Sequence, residues 1–255
     1  MSKKYKKNNH KQNTDNSNEQ DYIKDTSPIV YQKGKLKSEL HIRVRPDLTD
    51  KQKELLKLIN SKECKMIFIR GSAGSSKTFC AIMAALQLLN EKKVSDLIYL
   101  RSIVESSDSH LGYLKGDLNE KISVYLNPLI DKLEELLPKS EIDMLLKEER
   151  IQGQPINFLR GVNWNAKVVV ADEIQNMTFK EITTLVSRCG SFSRLIMLFD
   201  DTQSDIKNSG ALQMMNKFND EESRNNGIYT FEFTDDDIVR SELVKFIVKR
   251  LNKNN

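Results

Sequence analysis

Short apolar runs alternate with amphipathic stretches along most of the chain. The predicted strands are 66–69, 97–100, 168–170, 195–199 and 228–233, and most of them are apolar at every position. The predicted helices are 48–60, capped by Asp47 or Thr49, then 77–90, 119–137, 179–188, 209–218 and 239–251. Strands that are apolar on both faces and separated by helices are typical of a parallel sheet covered on both sides. The pattern therefore predicts an α/β fold whose ligands lie at the carboxyl ends of the strands.

The N-terminal region differs in composition from the rest. Residues 1 to about 27 are rich in Lys, Asn, Gln, Asp and Ser and almost free of apolar residues, so we expect a disordered arm over 1–45 and a folded domain over 46–255. The first 46 residues hold 11 Lys and Arg against 5 Asp and Glu, whereas the remainder carries a net charge of −2. The arm either docks on phosphates by counterion release or serves only as a solubilising tail.

Several classes of protein are disfavoured by what the chain contains. No apolar run approaches the roughly 18 residues of a membrane helix, and the early lysines precede polar residues instead of the apolar core of a secretory signal. The three cysteines, Cys64, Cys80 and Cys189, are far apart and have no metal-ligand spacing. We therefore expect a cytoplasmic protein with free thiols and no contact with a membrane.

A glycine-bearing loop follows the first predicted strand. The segment Gly71–Thr78 fits the phosphate-loop pattern G-x-x-x-x-G-K-[ST], except that Ser76 replaces the second glycine. Backbone N–H groups in such a loop and the positive end of the next helix bind phosphate oxygens. We expect Lys77 to reach the β- and γ-phosphates and the Thr78 hydroxyl to bind Mg²⁺. We also predict helical dihedrals for Ser76, because a positive φ there would count against a working loop. Taken alone, the match also fits a simple Gly/Ser turn.

Polar side chains end two later strands. Asp172 and Glu173 follow the apolar run at 168–170, and we expect Asp172 to hold the shell of a magnesium ion and Glu173 to polarise an attacking water. An ordinary exposed acidic pair is the alternative. After the next strand comes Phe199-Asp-Asp-Thr-Gln203, in which Gln203 is a candidate sensor of the γ-phosphate. Asp200 and Asp201 instead suit the capping of a turn.

At this point the sequence resembles the PhoH-like ATPase family, which is similar to the first RecA-like lobe of superfamily 1 helicases. The similarity runs from about Thr49 to Leu251, with Ser76 and Phe199 standing where the family has glycine. It rests on the elements above and on the stretches Thr49–Gln52, Leu111–Asp117, Tyr125–Asp131, Asp172–Asn176, Ser187–Gly190 and Asp237–Arg240.

The resemblance implies a three-layer RecA-like P-loop NTPase with a mainly parallel sheet, using ATP and Mg²⁺. It makes Gln52 a reader of adenine. The expected nucleotide-binding residues are Gln52, Gly71, Ser72, Ala73, Gly74, Ser75, Ser76, Lys77, Thr78 and Phe79.

Phosphoryl transfer also calls for an arginine, worth about three to five decades in rate. The chain has one lobe's length, so either turnover is slow or a neighbouring subunit supplies the arginine. We expect a head-to-tail ring, a hexamer by family resemblance, with Arg240 as first choice and Arg188 as second. A surface salt bridge or helix-end contact is the alternative for each arginine.

Three functions compete. The first is ATP-driven remodelling of RNA or another single-stranded nucleic acid, with Arg101 and the loop at 102–115 placed where helicase lobes touch a strand. That loop holds Tyr113 as its only aromatic, so no stacking array supports the interpretation. The second is a nucleotide-gated assembly protein with little turnover. The third is a small-molecule kinase, whose lid would come from the helices at 119–149.

Overall fold

The computed structural model of the protein describes residues 36–102, 118–156 and 163–239, together with Arg250. Six strands form one sheet in the order β3-β2-β4-β5-β1-β6, and every neighbouring pair is parallel. The strands are β1 Met66–Arg70, β2 Asp96–Arg101, β3 Ile151–Pro155, β4 Lys167–Asp172, β5 Arg194–Phe199 and β6 Ile228–Glu232. The helices are α1 Asp50–Asn60, α2 Lys77–Asn90, α3 Leu118–Leu136, α4 Lys139–Lys147, α5 Phe179–Val186, α6 Ala211–Lys217 and α7 Glu221–Asn225.

Strand residues alternate between two cores. In β4, Val168 and Val170 pack with α1 to α4 on one face, while Val169 and Ala171 pack with α5 and α6 on the other. In β1, Ile67 and Ile69 face the first core and Phe68 the second. Because each inner strand is buried on both sides, its sequence reads as a continuous apolar run. This arrangement confirms the three-layer RecA-like fold with a parallel sheet.

The sequence prediction and the structure differ at several elements. Strand β3 and the short helix α7 are absent from the prediction, whereas α2 begins and ends as predicted. The cap of α1 is Thr49, whose hydroxyl accepts from the backbone N–H of Gln52. The predicted helix at 239–251 lies outside the described residues, apart from its first residue and Arg250.

The packed part of the chain extends into the segment that the sequence analysis assigns to the arm. Leu36 and Leu40 are buried against the first core, and the Leu40 N–H donates to the side chain of Asn90 at 2.7 Å. The Arg43 N–H donates to the carbonyl of Leu136 at 2.8 Å. Residues 36–45 therefore lie against the domain in the structure.

The three cysteines form no disulfide. Cys64 and Cys80 are buried, and desolvation raises their pKa values to about 11 and about 12, whereas Cys189 is half-buried. In the parts of the chain that the structure describes, no helix has the length and apolar character needed to cross a membrane.

Candidate nucleotide-binding site

A cavity of about 440 Å³ opens at the carboxyl edge of the sheet. This volume is within the range of sites for small organic ligands. Lys77, Asp172, Glu173 and Gln203 all line it, so the four residues on which the sequence interpretation depends lie around one space. Parallel strands explain this convergence, because all their carboxyl ends point to the same edge.

The phosphate loop contributes one wall of the cavity. Ala73, Gly74, Ser76, Lys77, Thr78 and Phe79 line it, whereas Gly71, Ser72 and Ser75 are not among its lining residues. Ser75 is fully buried, and both its N–H and its hydroxyl donate to the carbonyl of Ser72. A side chain at Gly71 would place its Cβ 2.8 Å from the Cβ of Phe233, so this position must be glycine while β6 ends against the loop.

The prediction of helical dihedrals for Ser76 is wrong. Ser76 has φ 65° and ψ 23°, which is the left-handed region, and it precedes the first residue of α2. The residue is therefore part of the loop and not of the helix, which explains why glycine suits the position in the general pattern. A serine in this conformation carries strain of about 1–2 kcal/mol, but the loop still lines the cavity.

Lys77 lies folded against its own loop. Its ammonium donates to the carbonyls of Gly71 and Ser72, the latter at 3.1 Å. Burial lowers the pKa of Lys77 below its usual value, while the nearby charges of Asp200, Asp172 and Glu173 act in the opposite direction. A triphosphate would replace the loop carbonyls as the partner of this ammonium and would favour its charged form.

Asp172 is the most tightly held acid of the site. Its Oδ2 accepts from the Thr78 hydroxyl at 3.1 Å and from the Tyr99 hydroxyl at 2.7 Å, and its Oδ1 accepts from the backbone N–H of Glu173 at 3.0 Å. Burial, together with the charge of Asp172, raises the pKa of Tyr99, so this phenol stays protonated and donates. Thr78 and Asp172 thus present adjacent oxygens, as the sequence analysis expects for a magnesium site.

Glu173 has a strained backbone. Its φ of 59° and ψ of 35° place it in the left-handed region, where a non-glycine residue is disfavoured. Such conformations persist only where the surrounding structure holds them, and they cluster at functional sites. One carboxylate oxygen lies 3.7 Å from Nη2 of Arg101, and the other accepts from the side-chain amide of Gln175.

The turn after β5 carries Gln203 to the cavity. Asp200 caps this turn, because its Oδ1 accepts from the N–H and the hydroxyl of Thr202 at 3.1 and 2.6 Å. Its Oδ2 is buried and has no hydrogen-bond partner among the described residues. Asp201 instead binds Arg70 through two hydrogen bonds of 2.6 and 2.8 Å. This pair joins the turn to the residue that directly precedes the phosphate loop.

The far wall of the cavity comes from α1 and the segment before it. The guanidinium of Arg45 lies 4.7 Å from the ring centre of Phe79 and forms two hydrogen bonds of 2.9 Å with Asp47, lowering the pKa of that carboxyl to about 2. Gln52 lines the cavity, and its Oε1 also accepts from the Thr49 N–H at 3.0 Å. A planar arginine–aromatic pair beside a buried amide suits a nucleobase.

Of the two candidate arginines, Arg188 does not line this cavity. Arg188 lies before the amino end of β5, where its carbonyl accepts from the N–H of Trp164, so it is at the opposite edge of the sheet. Arg240 lies outside the described residues. The position of Arg188 does not conflict with a role toward a neighbouring subunit, and for both arginines that role stays a prediction.

Sequence reasoning missed Tyr99, Arg101 as a partner of Glu173, Gln175, Arg45 and Asp47. Tyr99 is the only polar side chain in the apolar run from Leu97 to Leu100. Its hydroxyl could therefore have indicated from the sequence that Tyr99 has a polar partner at the site. The contacts of the other four depend on the folded arrangement.

The sequence matches the PhoH-like protein family over residues 43–252. The chain belongs to the PhoH-like family. A PhoH-like protein of Synechocystis is 32% identical over 204 residues, covering 79% of this chain and 60% of the relative. A Bacillus subtilis PhoH-like protein is 32% identical over 200 residues, covering 76% and 60%. Protein PhoH of Escherichia coli K12 is 30% identical over 225 residues, covering 86% and 57%. The chain therefore spans somewhat more than half the length of these PhoH-like relatives.

Among solved structures, the large terminase of a thermophilic bacteriophage is 12% identical with a TM-score of 0.47, over 79% of this chain and 50% of that one. The Pif1 helicase of Candida albicans is 14% identical with a TM-score of 0.36, over 73% and 40%. Both similarities are too distant to bear on activity. The family match and the phosphate loop identify a nucleotide-binding P-loop protein.

Proposed function

We propose that this PhoH-like chain binds ATP with Mg²⁺ and hydrolyses it. The observation that carries the proposal is the meeting of Lys77, Thr78, Asp172, Glu173 and Gln203 around one cavity. Lys77 would neutralise phosphate charge, Glu173 would take a proton from the attacking water, and Gln203 would contact the γ-phosphate.

The oxygens at the site suit magnesium. In the described parts of the chain, no three or more His, Cys, Asp or Glu side chains are grouped so as to hold a metal by themselves. Mg²⁺ commonly takes one or two protein oxygens and completes its shell with phosphates and waters. Thr78 and Asp172, whose oxygens are 3.1 Å apart, would bind an ion that arrives with the nucleotide and neutralises phosphate charge.

Hydrolysis is proposed to drive remodelling of RNA or another single-stranded nucleic acid. Family membership and the half-buried guanidinium of Arg101 at the carboxyl edge support this coupling. The missing positive charge would come from Arg240 or Arg188 of a neighbouring copy in a ring, a hexamer by resemblance.

The deciding experiment measures ATP turnover by the purified protein with and without single-stranded RNA or DNA. We expect turnover that needs Mg²⁺, rises with nucleic acid and is lost in Glu173→Gln. Glu173→Gln should still bind nucleotide, because Lys77 and the loop are intact. Turnover equal in wild type and Glu173→Gln would exclude hydrolysis at this site.

A nucleotide-gated assembly protein is the second candidate. The strained Ser76 and the contacts of Lys77 with its own loop favour it, because both oppose fast cycling of a nucleotide through the loop. In that case ATP would change the oligomeric state, as measured by size-exclusion chromatography, and nucleic acid would leave the turnover rate unchanged.

A further inference from the structure

The carboxylate of Glu173 is held at both oxygens by its own chain. Nη2 of Arg101 lies 3.7 Å from Oε1, and the amide nitrogen of Gln175 donates to Oε2. A carboxylate that accepts a proton from water needs a free oxygen facing that water. Each oxygen keeps a further lone pair, but the two contacts together fix the direction of the carboxylate. One of them must therefore open before the side chain can turn an oxygen toward a water that lies elsewhere in the cavity.

The two contacts differ in how easily they open. Gln175 is 1% exposed, and its Oε1 accepts from the backbone N–H of Asp200 at 3.2 Å, so its amide is fixed between the ends of β4 and β5. The side chains of Arg101 and Glu173 are 33% and 36% exposed, and 3.7 Å is longer than a hydrogen bond. Ion pairs of this kind are weak and screened by solvent. The contact between Arg101 and Glu173 is therefore the one that can open when Arg101 takes another partner.

The backbone around Glu173 is tied to the end of β2. The Glu173 carbonyl accepts from the Asn176 N–H at 3.1 Å, and the Asn176 carbonyl accepts from the Ser102 hydroxyl at 3.2 Å. The Ser102 N–H donates to the carbonyl of Asp172 at 3.2 Å. The backbone of Glu173 is thus fixed, and rotation of its side chain is the remaining freedom.

We propose that Arg101 is a positioning residue that restrains Glu173 until a backbone phosphate of single-stranded nucleic acid binds its guanidinium. The inference rests on the proposed hydrolysis and adds its regulation. A guanidinium binds phosphate oxygens through two parallel hydrogen bonds, which is better geometry than its present contact with Glu173. Occupation of Arg101 by phosphate frees Oε1 for water, so nucleic acid raises turnover without touching the nucleotide.

The test compares Arg101→Gln and Arg101→Lys with wild type, in turnover assays with and without single-stranded RNA. Arg101→Gln should raise kcat without RNA about two- to fivefold, the effect expected from losing one half-exposed ion pair. The stimulation by RNA should fall toward onefold, and KM for ATP should stay unchanged. Arg101→Lys keeps a charge near Glu173 and should restore much of the low basal rate and of the stimulation. Arg224→Gln on α7, an exposed arginine remote from the cavity, is the matched control.

The other outcomes separate this inference from the proposed function. If wild type hydrolyses ATP and Arg101→Gln keeps the wild-type basal rate and stimulation, the restraint is overturned and hydrolysis stands. A raised KM with unchanged stimulation assigns Arg101 to the terminal phosphate of the nucleotide and also overturns it. If Arg101→Gln loses turnover equally with and without RNA, and Arg101→Lys does not rescue it, the restraint is also overturned. If wild type is as inactive as Glu173→Gln in every assay, the proposed hydrolysis fails as well.

Discussion

Ser76 places strain in the phosphate loop without changing which residues the loop presents to the cavity. Its left-handed conformation is one that glycine adopts freely and serine does not. The loop nevertheless presents Gly74, Lys77 and Thr78 to the cavity. The strain is therefore carried by the folded state and is not relieved by a different path of the chain.

Replacing Ser76 with glycine should stabilise the protein. We expect Ser76→Gly to raise the free energy of unfolding by about 1 kcal/mol, because the left-handed penalty disappears, partly offset by the greater freedom of the unfolded chain. Urea unfolding followed by circular dichroism measures this change. Lys92→Gly is the matched control, since Lys92 has φ 58° in the turn after α2. A destabilised Ser76→Gly beside a stabilised Lys92→Gly would show that the serine side chain contributes more than the strain removes.

Tyr99 should matter for the metal through Asp172. Removing its hydroxyl in Tyr99→Phe leaves Oδ2 of Asp172 with Thr78 as its remaining donor. Loss of such an outer partner typically weakens metal binding about 10- to 100-fold. A titration of Mg²⁺ against ATP turnover measures this shift. Tyr229→Phe on β6, whose ring packs against the same core, should leave the magnesium dependence unchanged. Equal magnesium curves for Tyr99→Phe and wild type would show that Thr78 and the backbone suffice.

At the scale of residues, it was easier to predict which side chains are candidates for the site than which partners those side chains contact. Lys77, Asp172 and Glu173 could be identified because each lies where a strand ends or a helix begins. Of the partners of Glu173, Gln175 is only two residues away along the chain, whereas Arg101 comes from β2 and only the folded sheet brings it to Glu173. The dihedrals of Ser76 were mispredicted because helical angles were assigned to the residue directly before α2, whereas that residue still belongs to the loop.

Among the elements, α1 places one side chain both in its helix cap and at the cavity. Gln52 completes the capping box with Thr49 and also lines the cavity. The cap stabilises the start of the helix, and the free part of the amide is available to a nucleobase. Two substitutions can separate these roles.

Thr49→Ala should lower stability by about 1 kcal/mol and leave the affinity for ATP nearly unchanged, because it removes only the cap. Gln52→Ala should lower stability similarly and also weaken ATP binding by about tenfold, the effect of one lost hydrogen bond. Isothermal titration with a non-hydrolysable ATP analogue, repeated with the GTP analogue, measures both affinity and base preference. Equal affinities for the two variants would remove Gln52 from base recognition.

The elements most readily predicted were those buried on both sides. Helix α2 and strands β1, β4 and β5 follow from long apolar runs. Strand β3 could not be predicted in this way, because its middle residues are Gln152, Gly153 and Gln154. It also pairs on one side only, at the edge of the sheet. The placement of β5 between β1 and β4 also depends on tertiary packing, which the order of elements along the chain does not determine.

At the scale of the whole molecule, the candidate site and Arg188 lie at opposite edges of the sheet. A head-to-tail ring would bring the amino edge of one copy toward the carboxyl edge of the next. The proposed ring therefore makes a prediction about mixed assemblies.

Glu173→Gln and Arg240→Ala should each abolish turnover alone, and co-assembly of the two should restore part of it. Restoration is expected because some interfaces then combine an intact cavity with an intact arginine from the neighbour. Turnover of co-expressed, co-purified variants measures this. Pairing Glu173→Gln with Lys77→Ala is the control, since both changes damage the same cavity and no interface is repaired. Repeating the pairing with Arg188→Ala shows which arginine acts, and no restoration with either would exclude an arginine supplied in trans.

The parallel sheet also leaves one thiol well placed for labelling. Cys189 lies before the amino end of β5, away from the cavity, and is half-buried, whereas Cys64 and Cys80 are buried with strongly raised pKa values. A maleimide dye should therefore react first at Cys189, and mildly alkaline buffer should help because burial raises its pKa as well. Native protein would then carry a fluorescent reporter at the amino edge of the sheet, which the proposed ring brings toward the next copy, so that energy transfer could report assembly without engineering a cysteine.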